Sequence, residues 1–125
     1  MEEKKIKLGK EKISELGGEL GDFMINNINR LHPPYAQFIK NSVAAMNSDS
    51  LLNQREREII RLSSLITVGA SLVQVKNTIR MMLKRNIFSK NEIGEIIMQT
   101  SFFCGFSPAI TAAFVALEVI DELDK

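Results

Sequence analysis

The sequence lacks most of the residues that common catalytic and metal sites require. Its 125 residues include one cysteine, Cys104, one histidine, His32, and no tryptophan. A single cysteine excludes an internal disulfide and a CxxC redox pair, and a single histidine excludes a metal cage of several histidines. The sequence also has no glycine-rich phosphate loop and no cluster of metal ligands. We therefore expect no cofactor and no bound metal.

An excess of charge of one sign is also absent. The 16 Lys and Arg residues nearly balance the 15 Asp and Glu residues, which leaves a net charge of +1. Proteins that bind nucleic acids usually present a strongly basic face, so we expect no nucleic-acid partner. The balanced charge and the 45% hydrophobic content are typical of globular proteins rather than disordered ones. A chain of this length is predicted to form one domain, residues 1–125.

Long hydrophobic runs are missing as well. The N-terminus, Met1 to Lys7, is charged and lacks the apolar segment of about 7–15 residues that a signal peptide needs. No segment reaches the roughly 18 apolar residues of a membrane span. The most apolar segment, residues 107–120, is interrupted by Thr111 and Glu118. We expect a cytoplasmic protein with no membrane partner.

Apolar residues recur at intervals of three and four through most of the chain, and no segment alternates as a strand would. This spacing predicts an all-α fold, a compact helical domain of about six to seven helices. Breaks are expected where glycine, proline or small polar residues interrupt the pattern. These breaks lie at residues 17–18, 32–34, 47–50, 69, 86 and 105.

Helix-capping residues predict where the helices of the C-terminal half begin. In a capping box, a small polar side chain and a glutamate three residues later each bond the other's backbone N–H. A serine followed by proline is a second pattern that is common at helix starts. The predicted starts are Asn53 with Glu56, Ser71, Ser89 with Glu92, and Ser107 with Pro108.

The predicted last helix is apolar nearly all round, since Thr111 is the single polar residue between positions 109 and 117. A helix of this kind has to be buried on several sides. Two explanations stay open: the helix lies at the centre of the core, or it forms part of the interface of a homo-oligomer. We favour the homo-oligomer, because a small all-helical monomer has few places to bury such a helix.

Five short segments, taken in order, resemble the carboxymuconolactone decarboxylase family. The resemblance is best over residues 52–123, and it rests on the order and spacing of the segments rather than on one motif. The segments are Arg57-Glu58-Ile59-Ile60, Gln74-Val75-Lys76, Ile79-Arg80-Met81-Met82-Leu83, Glu95-Ile96-Ile97-Met98-Gln99 and Phe103-Cys104-Gly105-Phe106-Ser107-Pro108-Ala109.

This resemblance implies an alkylhydroperoxidase D-like fold that assembles as a hexamer or as a trimer of dimers. One branch of the family resembles γ-carboxymuconolactone decarboxylase, a cofactor-free lyase that releases carbon dioxide from a small carboxylated lactone. The other branch resembles alkylhydroperoxidase D, a peroxide-defence protein with peroxiredoxin activity that uses a glutamate, a CxxC pair and a histidine.

The sequence departs from both branches at the positions that carry their chemistry. The cysteine pair would fall at Ser71 and Gln74, which provide no thiolate, so the peroxidase branch is disfavoured. The histidine would fall at Thr78, whose hydroxyl cannot carry a proton near neutral pH as an imidazole does. Cys104 stands where the family usually has alanine, and we expect a buried, unreactive thiol. His32 precedes two prolines and is predicted to lie in a loop, from which it could reach a neighbouring subunit.

Five residues become candidate site residues. Glu58, Gln74 and Gln99 match residues of the family, Thr78 stands at its histidine position, and Arg80 is chosen for the chemistry of its side chain. Glu58 would act as a general acid or base and Thr78 would orient substrate or water, so both are candidate catalytic residues. Arg80 would bind a carboxylate through its planar guanidinium group, with Gln74 and Gln99 as further substrate-binding residues. The implied partner is a small carboxylated molecule. Structural alternatives stay open, since Glu58 would also stabilise a helix start and Arg80 could be a surface charge.

Three functions are therefore considered. The first is a decarboxylase-like lyase that needs no cofactor. The second is a peroxide-defence protein, which the missing CxxC pair disfavours. The third is a non-catalytic oligomeric binding protein that has lost the chemistry of its family.

Overall fold

The computed structural model describes residues 2–48 and 50–125, and six α-helices account for most of them. The described residues contain no strand, so the prediction of an all-α fold is confirmed. The predicted break at residues 47–50 separates the second and third helices, although its Asp49 lies outside the described residues. In chain order the helices are α1 (Glu2–Leu31), α2 (Pro33–Met46), α3 (Gln54–Val68), α4 (Leu72–Lys84), α5 (Lys90–Cys104) and α6 (Phe106–Leu123).

The helices group into two compact units, Met1–Leu51 and Leu52–Lys125. The first unit contains α1 and α2, and the second contains α3 to α6. The second unit nearly coincides with residues 52–123, where the family resemblance is best. That the two units make up one domain over residues 1–125 stays a prediction. Within the described ranges, no helix is both long enough and apolar enough to cross a membrane.

The first unit consists of α1 and α2. The range of α1 contains two helical segments separated at Gly18, whose φ of 61° and ψ of −147° lie outside the helical region, as expected from the predicted break at residues 17–18. Helices α1 and α2 approach each other closely at Gly9, where a Cβ atom would overlap the carbonyl group of Lys40. The buried apolar side chains that form the core of this unit are Ile13, Ile25 and Ala36.

The second unit has one continuous apolar core, to which all four of its helices contribute. Helix α6 packs against α4 and α5, and α3 packs against α5. Each helix contributes the stripe of residues spaced three and four apart that its sequence pattern predicts. The buried residues of this core are Leu62, Ile66, Val75, Ile79, Met82, Phe88, Ile93, Ile96, Ile97, Ala109, Ala112, Val115, Ala116 and Val119.

Three of the predicted helix starts are confirmed. Asn53 and Ser89 each form a complete capping box with the glutamate three residues later. The Ser71 side chain accepts a hydrogen bond from the backbone N–H of Gln74 over 3.3 Å. The predicted break at Asn86 is also confirmed, because this residue has a φ of 55°, in the left-handed region that asparagine tolerates.

The start of α6 differs from the prediction. The helix begins at Phe106 with Gly105 as its N-cap residue, and the Ser107 side chain does not cap it. Gly105 has a φ of 91°, a conformation that favours glycine, and it turns the chain directly from α5 into α6. Because no loop separates the two helices, Ser107 already lies in the first helical turn. Pro108 is tolerated there since the first N–H groups of a helix have no partner within it.

The starts of α3 and α5 are tied together through Arg55 and Glu92. Glu92 accepts a hydrogen bond from the Ser89 backbone N–H over 2.9 Å and also pairs with the guanidinium group of Arg55. That guanidinium group lies 4.5 Å from the centre of the Phe88 ring. Hydrogen bonding from Arg55, then from the Ser89 backbone, lowers the pKa of Glu92 below its ordinary value. This pairing joins the two helices that form the walls of the groove described below.

Helix α6 is buried along one face and exposed along the other. Its buried face consists of small residues such as Ala112 and Ala116. On the opposite face, the exposed fractions are 70% for Phe106, 64% for Phe114 and 48% for Leu117. Helix α6 packs against all three other helices of its unit, as a core helix would, but these helices leave one side of it uncovered, so both explanations stay open. That a second copy covers the other side stays a prediction.

Neither Cys104 nor His32 is deeply buried. Cys104 packs against the core of the second unit but is only half-buried, with its Sγ 3.4 Å from the Gly105 carbonyl oxygen. The prediction of a buried thiol is therefore wrong in degree, because Cys104 is the last residue of α5. His32 is exposed and separates α1 from α2, which agrees with its predicted place in a connection.

We predict that Gly9→Ala destabilises the first unit by about 1–3 kcal/mol, the usual cost of overpacking. The added methyl group would meet the backbone of Lys40, which cannot move aside as a flexible side chain can. Gly17→Ala in the same helix is the matched control, because its Cβ would meet no atom within 4 Å. Native-state hydrogen exchange of the α2 amides measures the stability of the first unit in both variants. If Gly9→Ala and Gly17→Ala were equally stable, the close approach of α1 to Lys40 would be contradicted.

Candidate functional site

A groove of about 740 Å³ lies between α3 and α5, entirely within the second unit. Carbon atoms form most of its wall, and the apolar residues that line it are Ile59, Val68, Ile96 and Phe103. The polar residues that line it are Ser63, Ser64, Thr67, Glu95, Gln99 and Thr100. The groove therefore has an apolar surface crossed by a small number of hydroxyl, amide and carboxylate groups.

Three of the four hydroxyl groups that line the groove, all but that of Ser64, donate their hydrogens within their own helices. Ser63 donates to the Ile60 carbonyl oxygen over 3.2 Å, and Thr67 donates to the Ser63 carbonyl oxygen over 2.7 Å. Thr100 donates to the Ile96 carbonyl oxygen over 2.7 Å. Because each hydroxyl has a single hydrogen and two lone pairs, these three groups remain as acceptors.

A carboxylate and an amide lie next to each other on the α5 side of the groove. The Gln99 Nε2 donates to the Glu95 Oε1 over 3.4 Å, and both side chains are exposed. Among the described residues that line the groove, none is Lys, Arg or His. The groove is therefore negatively charged at this edge, without a cation of its own.

Glu58 and Thr78 are buried in the core rather than in the groove. Glu58 is 5% exposed and lies on the inward stripe of α3 with Leu62. Its Oε2 is 3.6 Å from an Arg61 guanidinium nitrogen. Thr78 is 1% exposed, lies beside Ile79, and its hydroxyl has no hydrogen-bond partner. The two family-matched catalytic candidates are thus polar residues on core-facing stripes.

Arg80 lies on a different side of the unit, between α4 and α6. A guanidinium nitrogen of Arg80 is 2.9 Å from the Glu122 carboxylate. Lys76 shares that carboxylate at 2.9 Å and also pairs with Glu118 at 3.3 Å. Hydrogen bonds from Lys76, then from Arg80, lower the pKa of Glu122, while Glu122 and then Glu118 raise the pKa of Lys76. Arg80 therefore has an internal partner for its charge.

Gln74 is separated from the other candidates as well. It is an exposed residue in the first turn of α4, where Ser71 caps its backbone N–H. Ser71 lines a second cavity of about 320 Å³, which also contacts Val75 and Ala112. Of the five predicted site residues, Gln99 alone lines the α3–α5 groove.

The sequence interpretation missed the other polar residues of the groove. Ser63 and Thr67 lie four residues apart on α3, and Glu95 and Gln99 lie four apart on α5, so each pair occupies one helix face. This repeated spacing of polar residues was the available signal. In the part of the chain that the structure describes, no three His, Cys, Asp or Glu side chains are placed to hold a metal ion.

We predict that Thr78→Val leaves stability unchanged or raises it by about 1 kcal/mol, because it removes a buried hydroxyl without a partner and keeps the side-chain shape. Thr100→Val is the matched control. It removes a buried hydroxyl that is hydrogen-bonded, so we expect a loss of about 1 kcal/mol. Urea unfolding of the two variants gives the comparison. An equal loss in both would show that the Thr78 hydroxyl has a partner in solution.

Comparison with known proteins supports the resemblance seen in the sequence. The sequence model of the carboxymuconolactone decarboxylase family matches residues 33–118, which is more than half of the chain. No curated protein and no solved structure matches the chain. The matched residues run from the start of α2 into α6 and include the groove. The all-helical fold is thus alkylhydroperoxidase D-like, and the chain belongs to the carboxymuconolactone decarboxylase family.

Proposed function

We propose that the protein is an oligomeric binding protein that accepts an apolar small molecule in the α3–α5 groove. The observation that carries this proposal is the groove itself, whose volume of about 740 Å³ lies in the range of about 300–1,000 Å³ that is usual for ligand sites. Its apolar wall with few polar groups is also typical of such sites. Binding of an apolar molecule there requires neither a thiol nor an imidazole.

The residues at the family's catalytic positions support binding over thiol chemistry. Ser71 and Gln74 stand where the peroxidase branch has its cysteines, and the half-buried Cys104 has no second cysteine to form a disulfide with. A peroxidase of that branch needs a thiolate and a resolving thiol. The peroxide-defence function is therefore the least favoured of the three.

The proposal includes a homo-oligomer, for which the exposed face of α6 is the main support. Phe106, Ile110 and Phe114 are each more than half exposed. Contiguous exposed apolar surface on this scale is characteristic of protein–protein interfaces. A second copy of this chain is the natural partner, since the chain carries no charge between positions 106 and 117 that would select an oppositely charged one.

We predict that the neutral probe 1-naphthaleneethanol binds the intact chain and that Ser64→Trp weakens binding about tenfold or more, a change of roughly 1.4 kcal/mol. Ser64 lines the groove, so a tryptophan there would occupy space that the probe needs. Gln37→Trp, at an exposed position of α2, adds the same side chain elsewhere and should leave binding unchanged. Isothermal titration calorimetry measures the dissociation constant of the probe for the unchanged chain and for both variants. Absence of binding to the unchanged chain would contradict the proposal.

A second candidate function is the cofactor-free lyase, and one observation favours it. Glu58 matches the acidic residue of the family and is only 5% exposed. Because burial of a carboxylate costs free energy, its position in the core favours a functional role. In that case Glu58, in its protonated form, would give its proton to the carbon that loses carbon dioxide. The electron pair of the broken C–C bond would then form the new C–H bond.

We predict for the lyase that γ-carboxymuconolactone is turned over and that Glu58→Gln lowers kcat by about 100-fold or more, the usual contribution of a general acid or base. Glu118→Gln is the control, because Glu118 is exposed and its partner Lys76 also pairs with Glu122. Release of carbon dioxide is measured directly. No turnover above background by the unchanged chain would exclude the lyase.

A further inference from the structure

We infer that the α3–α5 groove selects apolar ligands that carry a hydrogen-bond donor or a positive charge, and that it disfavours carboxylates. This inference rests on the proposed function, since it names the class of ligand for the same groove. It differs from what the family resemblance implies, which is a small carboxylated partner.

The first step of the argument is the direction of the hydrogen bonds. Ser63, Thr67 and Thr100 each donate to a carbonyl oxygen of their own helix, so their hydrogens are occupied. What these three hydroxyls present to the groove is oxygen lone pairs. A ligand gains hydrogen bonds there by donating, and a carboxylate has nothing to donate at neutral pH.

The second step is the charge of the groove. Glu95 accepts a hydrogen bond at Oε1 from the Gln99 amide, and a carboxylate has oxygens that accept but no hydrogen to donate. A second carboxylate in this groove would be repelled by Glu95 and would lose part of its hydration against an apolar wall. A cationic group would instead form a charge-assisted hydrogen bond, which is stronger than a neutral one.

The third step concerns the cations of the second unit, none of which lines the groove. Four of them pair with acidic residues. Arg80 and Lys76 pair with acidic residues of α6, Arg55 pairs with Glu92, and Arg61 lies beside the buried Glu58. A bound carboxylate would therefore meet no cation among the residues that line the groove.

The apolar body and the donor of the ligand can be assigned to separate parts of the groove. Ile59, Ile96 and Phe103 provide apolar contact, and Phe103 is available for stacking because it is 89% exposed. Glu95 lies two helical turns before Phe103 on the same helix. An aromatic amine or alcohol has both parts in one molecule.

The test compares three naphthalene probes of nearly equal size. These are 2-(1-naphthyl)ethylamine, 1-naphthaleneethanol and 1-naphthaleneacetate, which carry a cation, a neutral donor and a carboxylate at neutral pH. We expect the amine to bind about fivefold or more tightly than the carboxylate, the size of effect for an exposed charge pair, with the alcohol between them. Titration calorimetry of the full chain at neutral pH gives the three dissociation constants.

Two variants identify the source of the preference. Glu95→Gln keeps the side-chain length and removes the charge, so it should bring the amine and the carboxylate to within about twofold of each other. Glu118→Gln removes an exposed charge outside the groove and should preserve the preference. Circular dichroism confirms that both variants keep their helices.

The outcomes separate this inference from the proposed function. If the three probes bind but the carboxylate binds as tightly as the amine, the groove is a ligand site and the inference is overturned. The same holds if Glu95→Gln leaves the preference intact. If none of the probes binds, the proposed function fails as well. If in addition Ile59→Asp converts an oligomer to a monomer, the groove is an interface between copies.

Discussion

Burial of one face of α6 is the interaction on which the second unit depends. Small residues on that face, among them Ala109 and Ala112, allow α4 and α5 to approach closely. The fully buried Val119 contributes about 2 kcal/mol from its side chain alone. The same helix has large apolar residues on its other face, so the packing that forms the core also leaves an apolar surface. The proposed homo-oligomer would therefore couple core formation and self-association through one helix.

The groove follows from how α3 and α5 are joined. Their starts are linked by Arg55 and Glu92, while further along each helix serines, threonines and a glutamine line the facing surfaces beside apolar residues. Under the proposed function, an apolar ligand would occupy this space, and the acceptor groups on its wall would determine which ligands are preferred. Of the five residues predicted for the site, Glu58 and Thr78 lie in the core, and Gln99 alone lines the groove.

Local signals in the sequence predicted most of the fold, and tertiary contacts decided what they missed. Capping boxes at Asn53 and Ser89 are formed by residues three apart, so the sequence contains them completely. The start of α6 was wrong because the turn at Gly105 leaves no loop, a feature that local capping residues do not reveal. Gln99, a substrate-binding candidate from its match to the family, lines the groove. Arg80 does not, because it pairs with Glu122, which lies 42 residues away. Motif matching identifies positions and does not identify the partners that neutralise their charges.

The central claim is that a second copy of the chain covers the exposed face of α6. The most direct measurement is the molar mass of the full chain by size-exclusion chromatography with light scattering at micromolar concentration. The account predicts a mass that is a multiple of 14.1 kDa, and a shift to the monomer mass for Phe114→Asp with its helical circular dichroism preserved. A monomer mass for the unchanged chain would contradict the account.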